Sequence, residues 1–521
     1  MWYNTYNLLY GIEREKGMAA ALAIVGIDIG TTSTKSVVFG TDGAMLGSCN
    51  IGYPLRHEQP GWAEQDPEEI FRVVLATVKG AVADSGLAGA DVAGVGISAA
   101  MHSLIAVNAS GQALTPSITW ADGRSELQAR RINAENGGIY RRTGTPIHPM
   151  SPLPKIAWLR ENQPNAFAAA AKFVSIKEYV VFHLFGEWVV DTSIASATGM
   201  LALDSLSWDE EALRVAGITA DRLSAVREGT YRLNGMRPAH AEAMGLPTNT
   251  PLFLGGSDGA LANIGVGAID AGELAVTIGT SAAVRMMTDR PATDPNARTF
   301  CYSVTGASYI IGGATNNGGI VLQWLKESMF GSSSAEELLT AAAKVTPGAE
   351  GLLFLPFLSG ERAPIWNAEA RGTFFGANLG HRGEHFVRAG LEGVMLAVLS
   401  VAEALKELAG PASEVRASGG FTKSPLWRQM LADMLGQPVI VPKVTEASAL
   451  GAAVLAMQGL GLIGSWREAK AWVPADQVLE PNPRANEVYR EVLGVYARLC
   501  KKLPESFAEI AGLQRRLSYR D

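Results

Sequence analysis

The feature that most constrains this chain is an internal echo. Ile27-Asp28-Ile29-Gly30-Thr31-Thr32-Ser33 recurs in the second half as Val276-Thr277-Ile278-Gly279-Thr280-Ser281. Each copy follows an apolar run of strand character, turns on a glycine and hydroxyl residues, and leads into another strand-like run. Glycine lets the backbone come close to a ligand. Backbone N–H groups and hydroxyls at such a turn can bind phosphate oxygens. Alone, either turn reads equally well as an ordinary polar hairpin. Two copies predict two related domains facing each other, able to hold one triphosphate from both sides of a cleft.

The rest of the chain alternates short β-branched runs, glycine-rich turns and longer helical stretches, which predicts an α/β fold. Strands are expected over 23–29, 34–39, 92–98, 104–107, 252–254, 274–278, 282–286, 309–311, 352–357, 414–418 and 439–441. Long helices are expected over 67–85, 385–408, 425–435 and 447–459. Asp66-Pro67-Glu68-Glu69 has the composition of a helix start. A length of 521 residues calls for two large domains. We place them at 18–271 and 272–521, the divide following Gly265–Gly272. Residues 1–17 share no pattern with the remainder of the chain and read as an extension outside the fold, with Met18 as an alternative start.

Composition removes several functions. Apolar residues make up 47%, charged residues 18%, and the net charge is −7. Without a basic stripe, nucleic acid is not an expected partner. Cys49, Cys301 and Cys500 are too few and too scattered for a disulfide framework or a zinc site. No run of 18 or more apolar residues occurs, so no membrane span is expected. The apolar segment after Arg14 and Lys16 reads as the first buried strand rather than a signal peptide, which suits a cytoplasmic enzyme. There is no GxxxxGK[ST] loop and no protein-kinase signature set.

Four segments carry candidate chemistry. Asp28 closes the first strand, where a carboxylate can hold Mg²⁺ through water; Thr31, Thr32 and Ser33 can face phosphate, and Lys35 adds a compact positive charge. Asp258, after Leu254-Gly255-Gly256-Ser257, can accept a proton from an attacking hydroxyl, although an acid there also reads as a helix N-cap. Met101, His102, Trp120, Asp122 and Arg124 combine an aromatic face with hydroxyl-binding groups, as a polyol requires. Ser418-Gly419-Gly420 through Ser424 could seat adenosine, or be a plain strand–helix turn.

These segments together resemble the FGGY carbohydrate kinases, from about residue 22 to about residue 500. Met150-Ser-Pro152-Leu-Pro-Lys155-Ile-Ala-Trp158-Leu-Arg-Glu-Asn162 is similar to a family signature. Gly255–Asp258, Gly360-Glu361-Arg362-Ala363-Pro364 and Ser418–Gly420 are also family-like. The resemblance implies two actin/hexokinase-like (ribonuclease H-like) α/β domains closing over a deep cleft, with ATP as co-substrate, Mg²⁺, and a homodimer as the common assembly. It implies Asp258 as general base and Asp28 as the acid that organises Mg²⁺. Thr31, Thr32, Ser33 and Lys35 would form the first phosphate turn, and Gly279 and Thr280 the second. Gly319 and Gln323 would lie along the nucleotide, and Gly420 and Ser424 at the adenosine.

Substrate is a finer question. Xylulokinases are similar around Met101-His102 and Trp120–Arg124, but carry Gly after that His and Asn after the base, where this chain has Ser103 and Gly259. Ala99–Ser103, Thr143–Met150 (which includes His148) and Ala314–Gly319 are more similar to FGGY-type gluconokinases. The reading is therefore a sugar-acid kinase acting on D-gluconate, with xylulokinase or another sugar kinase as the alternative. A non-catalytic actin-like nucleotide switch and a sugar-sensing regulator are more remote. Gluconate carries a carboxylate, which calls for a cation in its pocket; Arg124, His102, His148 and Arg362 are the candidates. If residues 1–17 lie outside the fold, a chain starting at Met18 should retain full turnover in an ADP-release assay; loss of activity would place them in it.

Overall fold

The computed structural model describes residues 22–444 and 446–518; the extension expected over 1–17 lies outside the described residues. Two mixed sheets form its frame. The first runs, edge to edge, Arg232–Leu233, Leu252–Ser257, Val92–Ala99, Ala23–Ile29, Ser33–Gly40, Met45–Gly52. The second runs Phe300–Thr305, Ser308–Thr315, Ala282–Thr288, Glu273–Ile278, Glu414–Ser418, Val439–Pro442, Ala475–Leu479.

The two sheets repeat one plan. In the first, Ile27 lies opposite Ser36 in an antiparallel hairpin and opposite Ile97 in a parallel pair. In the second, Val276 lies opposite Val284 in a hairpin and opposite Ala417 in a parallel pair. Each glycine turn therefore closes the hairpin that starts its sheet. Central strands flanked on both sides are apolar along their length, and all of Ala23–Ile27 is buried.

Helix ends follow local chemistry. Asp66 accepts from the backbone N–H of Glu68 and Glu69 at 3.0 and 3.3 Å, capping Pro67–Asp84 as its sequence implies. The Gly383–Ala409 helix is long and apolar enough to cross a membrane by composition, but 89% of its most apolar window is buried inside the protein. It is the core helix behind the second sheet, packing on Ala282–Thr288 and Leu353–Leu355. The three cysteines are unpaired.

The packing crosses the divide between the two sheets. Helix Ala447–Gly459, from the second half, lies on Ala23–Ile29, Val92–Ala99 and helix Asp258–Gly265. It approaches closely because glycines face it. A Cβ on Gly26 would stand 2.1 Å from the Ala449 carbonyl oxygen, and one on Gly96 would stand 2.0 Å from that of Ala452. The pair of helices is just as tight: a Cβ on Gly265 would be 1.9 Å from the Ala447 oxygen, and one on Gly451 would be 2.2 Å from that of Leu261. Gly94 packs in the same way, a Cβ there standing 3.1 Å from the Leu460 side chain and 3.3 Å from the Phe253 ring.

Because backbone rather than a movable side chain occupies that space, Gly265→Ala should force the helices apart. We expect a loss of about 2 kcal/mol, read as a lowered Tm, together with reduced turnover. An unchanged Tm would show that the crossing can relax.

Candidate active site

Two cavities lie on either side of the second glycine turn, the larger formed by the second half alone and the smaller by residues of both halves. The larger, of about 900 Å³, is lined by Gly279, Thr280, Gly319, Gln323, Gly420 and Ser424 among others. All six residues expected at the nucleotide on the second-half side therefore meet in one place. The smaller, of about 200 Å³, is lined by Thr31, Met101, His102, Trp120, Met150, Asp258, Arg285, Phe300, Tyr302, Arg362 and Trp366, with Ser281 to Ala283. The turn Gly279-Thr280-Ser281 stands between the cavities, its first two residues facing one and its third the other. A phosphoryl group held there would be within reach of both.

The larger cavity is shaped by missing side chains. Cβ atoms on Gly279 and Gly420 would meet nothing within 4 Å, and neither residue has a left-handed backbone. The fold does not require glycine at either position, so the requirement comes from the space they border. Gly319 differs, since a Cβ there would stand 2.8 Å from the Gly279 oxygen. Ser424 also caps helix Pro425–Leu435 by accepting from the Trp427 N–H.

The smaller cavity brings Asp258 together with Met101, His102 and Trp120, while Asp28 lines neither cavity. Ser257, not Asp258, caps helix Asp258–Gly265, accepting from the Ala260 N–H at 3.4 Å. The competing reading of Asp258 as an N-cap is thereby removed. Its carboxylate accepts from the neighbouring Gly259 N–H at 2.7 Å and borders the cavity. Burial raises its pKa, opposed first by the Arg285 guanidinium. Asp28, at the end of its strand, is raised to about 7 by burial and then by the Asp258 charge, against the hydrogen bond donated by Ser98 at 2.8 Å. A carboxylate whose proton affinity is raised by burial and by a second acid fits a place where a divalent cation sits.

His102 has a left-handed backbone, φ +67°, uncommon outside glycine and frequent at functional sites. Its Nδ1–H donates to the Ala197 carbonyl at 2.8 Å. Burial, and then the Lys155 charge, push its pKa down to about 3. The ring is neutral at working pH, with Nε2 left as an acceptor. Trp120 donates from Nε1 to Thr31 Oγ1 at 2.8 Å, tying the smaller cavity to the first glycine turn.

Lys155, fully buried, holds these loops in place. Its Nζ donates to the carbonyls of His102, Thr119 and Met150 at 2.7, 2.7 and 2.8 Å, and to that of Ile118 at 3.3 Å. One ammonium thus fixes the three segments that carry His102, Trp120 and Met150. Burial lowers its pKa to about 7.

Several expected residues lie elsewhere. Asp122 and Arg124 do not line the cavity. Arg124 donates to both Asp122 oxygens at 2.8 and 2.7 Å, lies 2.6 Å from Glu64, and stacks over Trp62 at 3.6 Å. Asp122 also accepts from the Ala63 N–H. They form a buried bracket behind Trp120, because a guanidinium removed from water needs a complete set of carboxylate acceptors. Lys35 pairs with Glu446 at 2.8 Å, and Thr32 is exposed; neither they nor Ser33 line either of these two cavities. His148 packs its ring on Trp366, 5.3 Å between centroids, and burial pushes its pKa down to about 3. Arg285, Phe300, Tyr302 and Trp366 are cavity residues that sequence reasoning missed. A lone Arg within the apolar run of strand 282–288 was the available signal.

The N-terminal domain model of the FGGY family of carbohydrate kinases matches residues 23–265, and the C-terminal domain model matches 274–460. Gluconokinase of Bacillus subtilis (strain 168) is 44% identical over 508 residues, 95% of this chain and 98% of that protein. The crystal structure of a gluconate kinase from Lactobacillus acidophilus is 36% identical, covers 94% of this chain and 99% of its own, and superposes with a TM-score of 0.91. A ligand-bound xylulose kinase structure from Lactobacillus acidophilus matches with the same figures. With both domain models matched around a cleft of this geometry, the chain belongs to the FGGY family of carbohydrate kinases.

Proposed function

We propose that this enzyme transfers the γ-phosphate of ATP to the terminal hydroxyl of D-gluconate. The observation that carries the reading is the position of Asp258. It borders a small cavity fit for a polyol, beside a glycine turn that also faces a cavity large enough for a nucleotide. The relatives named gluconokinase support the acceptor. The xylulose kinase structure that matches equally well makes a neutral ketose the second reading.

In this reading Asp258 accepts the proton of the acceptor hydroxyl as its oxygen attacks phosphorus, and ADP leaves on the opposite side. A carboxylate whose pKa is raised is the stronger base. His102 Nε2 accepts from a substrate hydroxyl, and Trp120 offers a flat face to C–H groups. The Gly279 N–H closes the turn on the Ser281 carbonyl, and the N–H groups of Thr280 and Ser281 hold the transferring group's oxygens, in a site from which closure excludes water. Mg²⁺, held by Asp28 through water, would neutralise charge on the β- and γ-phosphates. The reading includes a cytoplasmic place of action.

Asp258→Asn should lower kcat about 1,000-fold with little change in Tm; near-normal turnover would remove Asp258 as the base. Gly420→Val adds a side chain where only the nucleotide cavity receives it, so KM for ATP should rise about 10-fold or more at unchanged Tm. An unchanged KM would move the nucleotide elsewhere. In an ADP-release assay over D-gluconate, D-xylulose, L-ribulose, glycerol and erythritol, D-gluconate should give the highest kcat/KM; a ketose in that place would select the second reading.

A further inference from the structure

Three polar side chains of the acceptor cavity have no use in the phosphoryl-transfer scheme. Arg285 Nη1, Arg362 Nε and the Tyr302 hydroxyl are buried and have no hydrogen-bond partner, and all three residues line the cavity with Asp258. Leaving such a group unpaired costs about 1–3 kcal/mol, more for a charged one. Arg124 shows the ordinary way a buried guanidinium is satisfied, with Asp122 and Glu64 both within 2.7 Å. Among the described residues Arg285 and Arg362 have no such ion pair. Arg362 instead donates from Nη2 to the Thr315 carbonyl at 3.0 Å and stacks over Trp120 at 4.8 Å.

The sheet explains why the three groups share one space. Arg285 lies opposite Gly312, and Gly312 opposite Phe300, so Arg285 and Phe300 rise from the same face with no side chain between them. Tyr302, two residues along from Phe300, shares that face, and its ring stacks on Phe300 at 4.3 Å. A Cβ on Gly312 would stand 2.7 Å from the Phe300 ring, and the neighbouring row carries only Ala283 and Ala314. Small residues make the floor, and Arg285, Tyr302 and Arg362 stand around it as donors in search of an acceptor.

We propose that Arg285, Arg362 and Tyr302 form the receptor for the carboxylate of a sugar-acid substrate, and that they are the specificity determinants separating an aldonate from a neutral ketose or polyol. A carboxylate has two oxygens that accept from guanidinium edges and a phenol at once. A neutral hydroxymethyl or keto group would leave at least one guanidinium without its counter-charge. The two histidines also considered for this role are held neutral by burial, and Arg124 is already paired. The inference rests on the sugar-acid reading of the site.

Arg285 also lies close enough to Asp258 to act on its carboxylate, so Arg362→Gln and Tyr302→Phe are the variants that report on the receptor alone. The measurement is the ratio of kcat/KM for D-gluconate to that for D-gluconamide, its uncharged isostere. The ratio should favour gluconate in the wild type and fall about 10- to 100-fold in Arg362→Gln, and less in Tyr302→Phe. A parallel fall for both acceptors at a constant ratio would overturn the receptor and leave a structural role. A rise in KM for ATP in place of the ratio change would overturn it too, assigning the cations to the nucleotide's phosphates. If the wild type phosphorylates D-xylulose but not D-gluconate, the proposed function fails by itself. The receptor then stands if D-gluconate competes with the ketose in wild type and not in Arg362→Gln, and falls if it does not compete.

Discussion

The contact on which this molecule depends is the side-chain-free crossing of helices Asp258–Gly265 and Ala447–Gly459. Gly265 faces the Ala447 carbonyl and Gly451 that of Leu261, each too closely for a Cβ. The first helix begins at Asp258, and Ser448 Oγ on the second donates to the Asp258 carbonyl at 3.2 Å. Asp258, the proposed proton acceptor, is thus positioned by the same contact that joins the two halves. Apolar all round, helix Ala447–Gly459 is buried from Ala449 to Met457, as a helix shared between two layers must be.

Within the cleft, burial acts on charge in opposite senses. It raises Asp28 and Asp258, lowers Lys155, and holds His102 neutral. The result is a site in which the histidine is neutral and the acids bind protons more tightly than in water. Lys155 tolerates its depth because four carbonyls surround its ammonium, and in satisfying it they fix the loops carrying His102, Trp120 and Met150. A residue that never touches the cavity therefore determines its shape.

Much of the frame was legible in the sequence. Central strands are short, β-branched and bounded by glycine, so Ala23–Ile29, Glu273–Ile278 and Glu414–Ser418 were found with close boundaries. Edge strands were not. Met45–Gly52 carries Gly47, Ser48 and Asn50 and is exposed at most positions, and Ala475–Leu479 is almost wholly exposed. Neither has the apolar face that periodicity detects. Phe300–Thr305, buried at five of its six positions, mixes Cys301 and Ser303 with aromatic residues and gives no clean alternation.

The sequence by itself determined the duplicated hairpin with its glycine turns and the fold class, because each is written in contiguous residues whose local geometry follows from composition; the base candidate and the residues proposed for the nucleotide rested on the resemblance to the family. The tertiary structure decided which polar residues remain free. Asp122 and Arg124 look like substrate ligands in sequence and are consumed by each other and by Glu64, while Arg285, unremarked in its strand, is left without an acceptor in the cavity. Whether a charged side chain is paired or available depends on partners far away along the chain, and only folding brings those within a few ångströms.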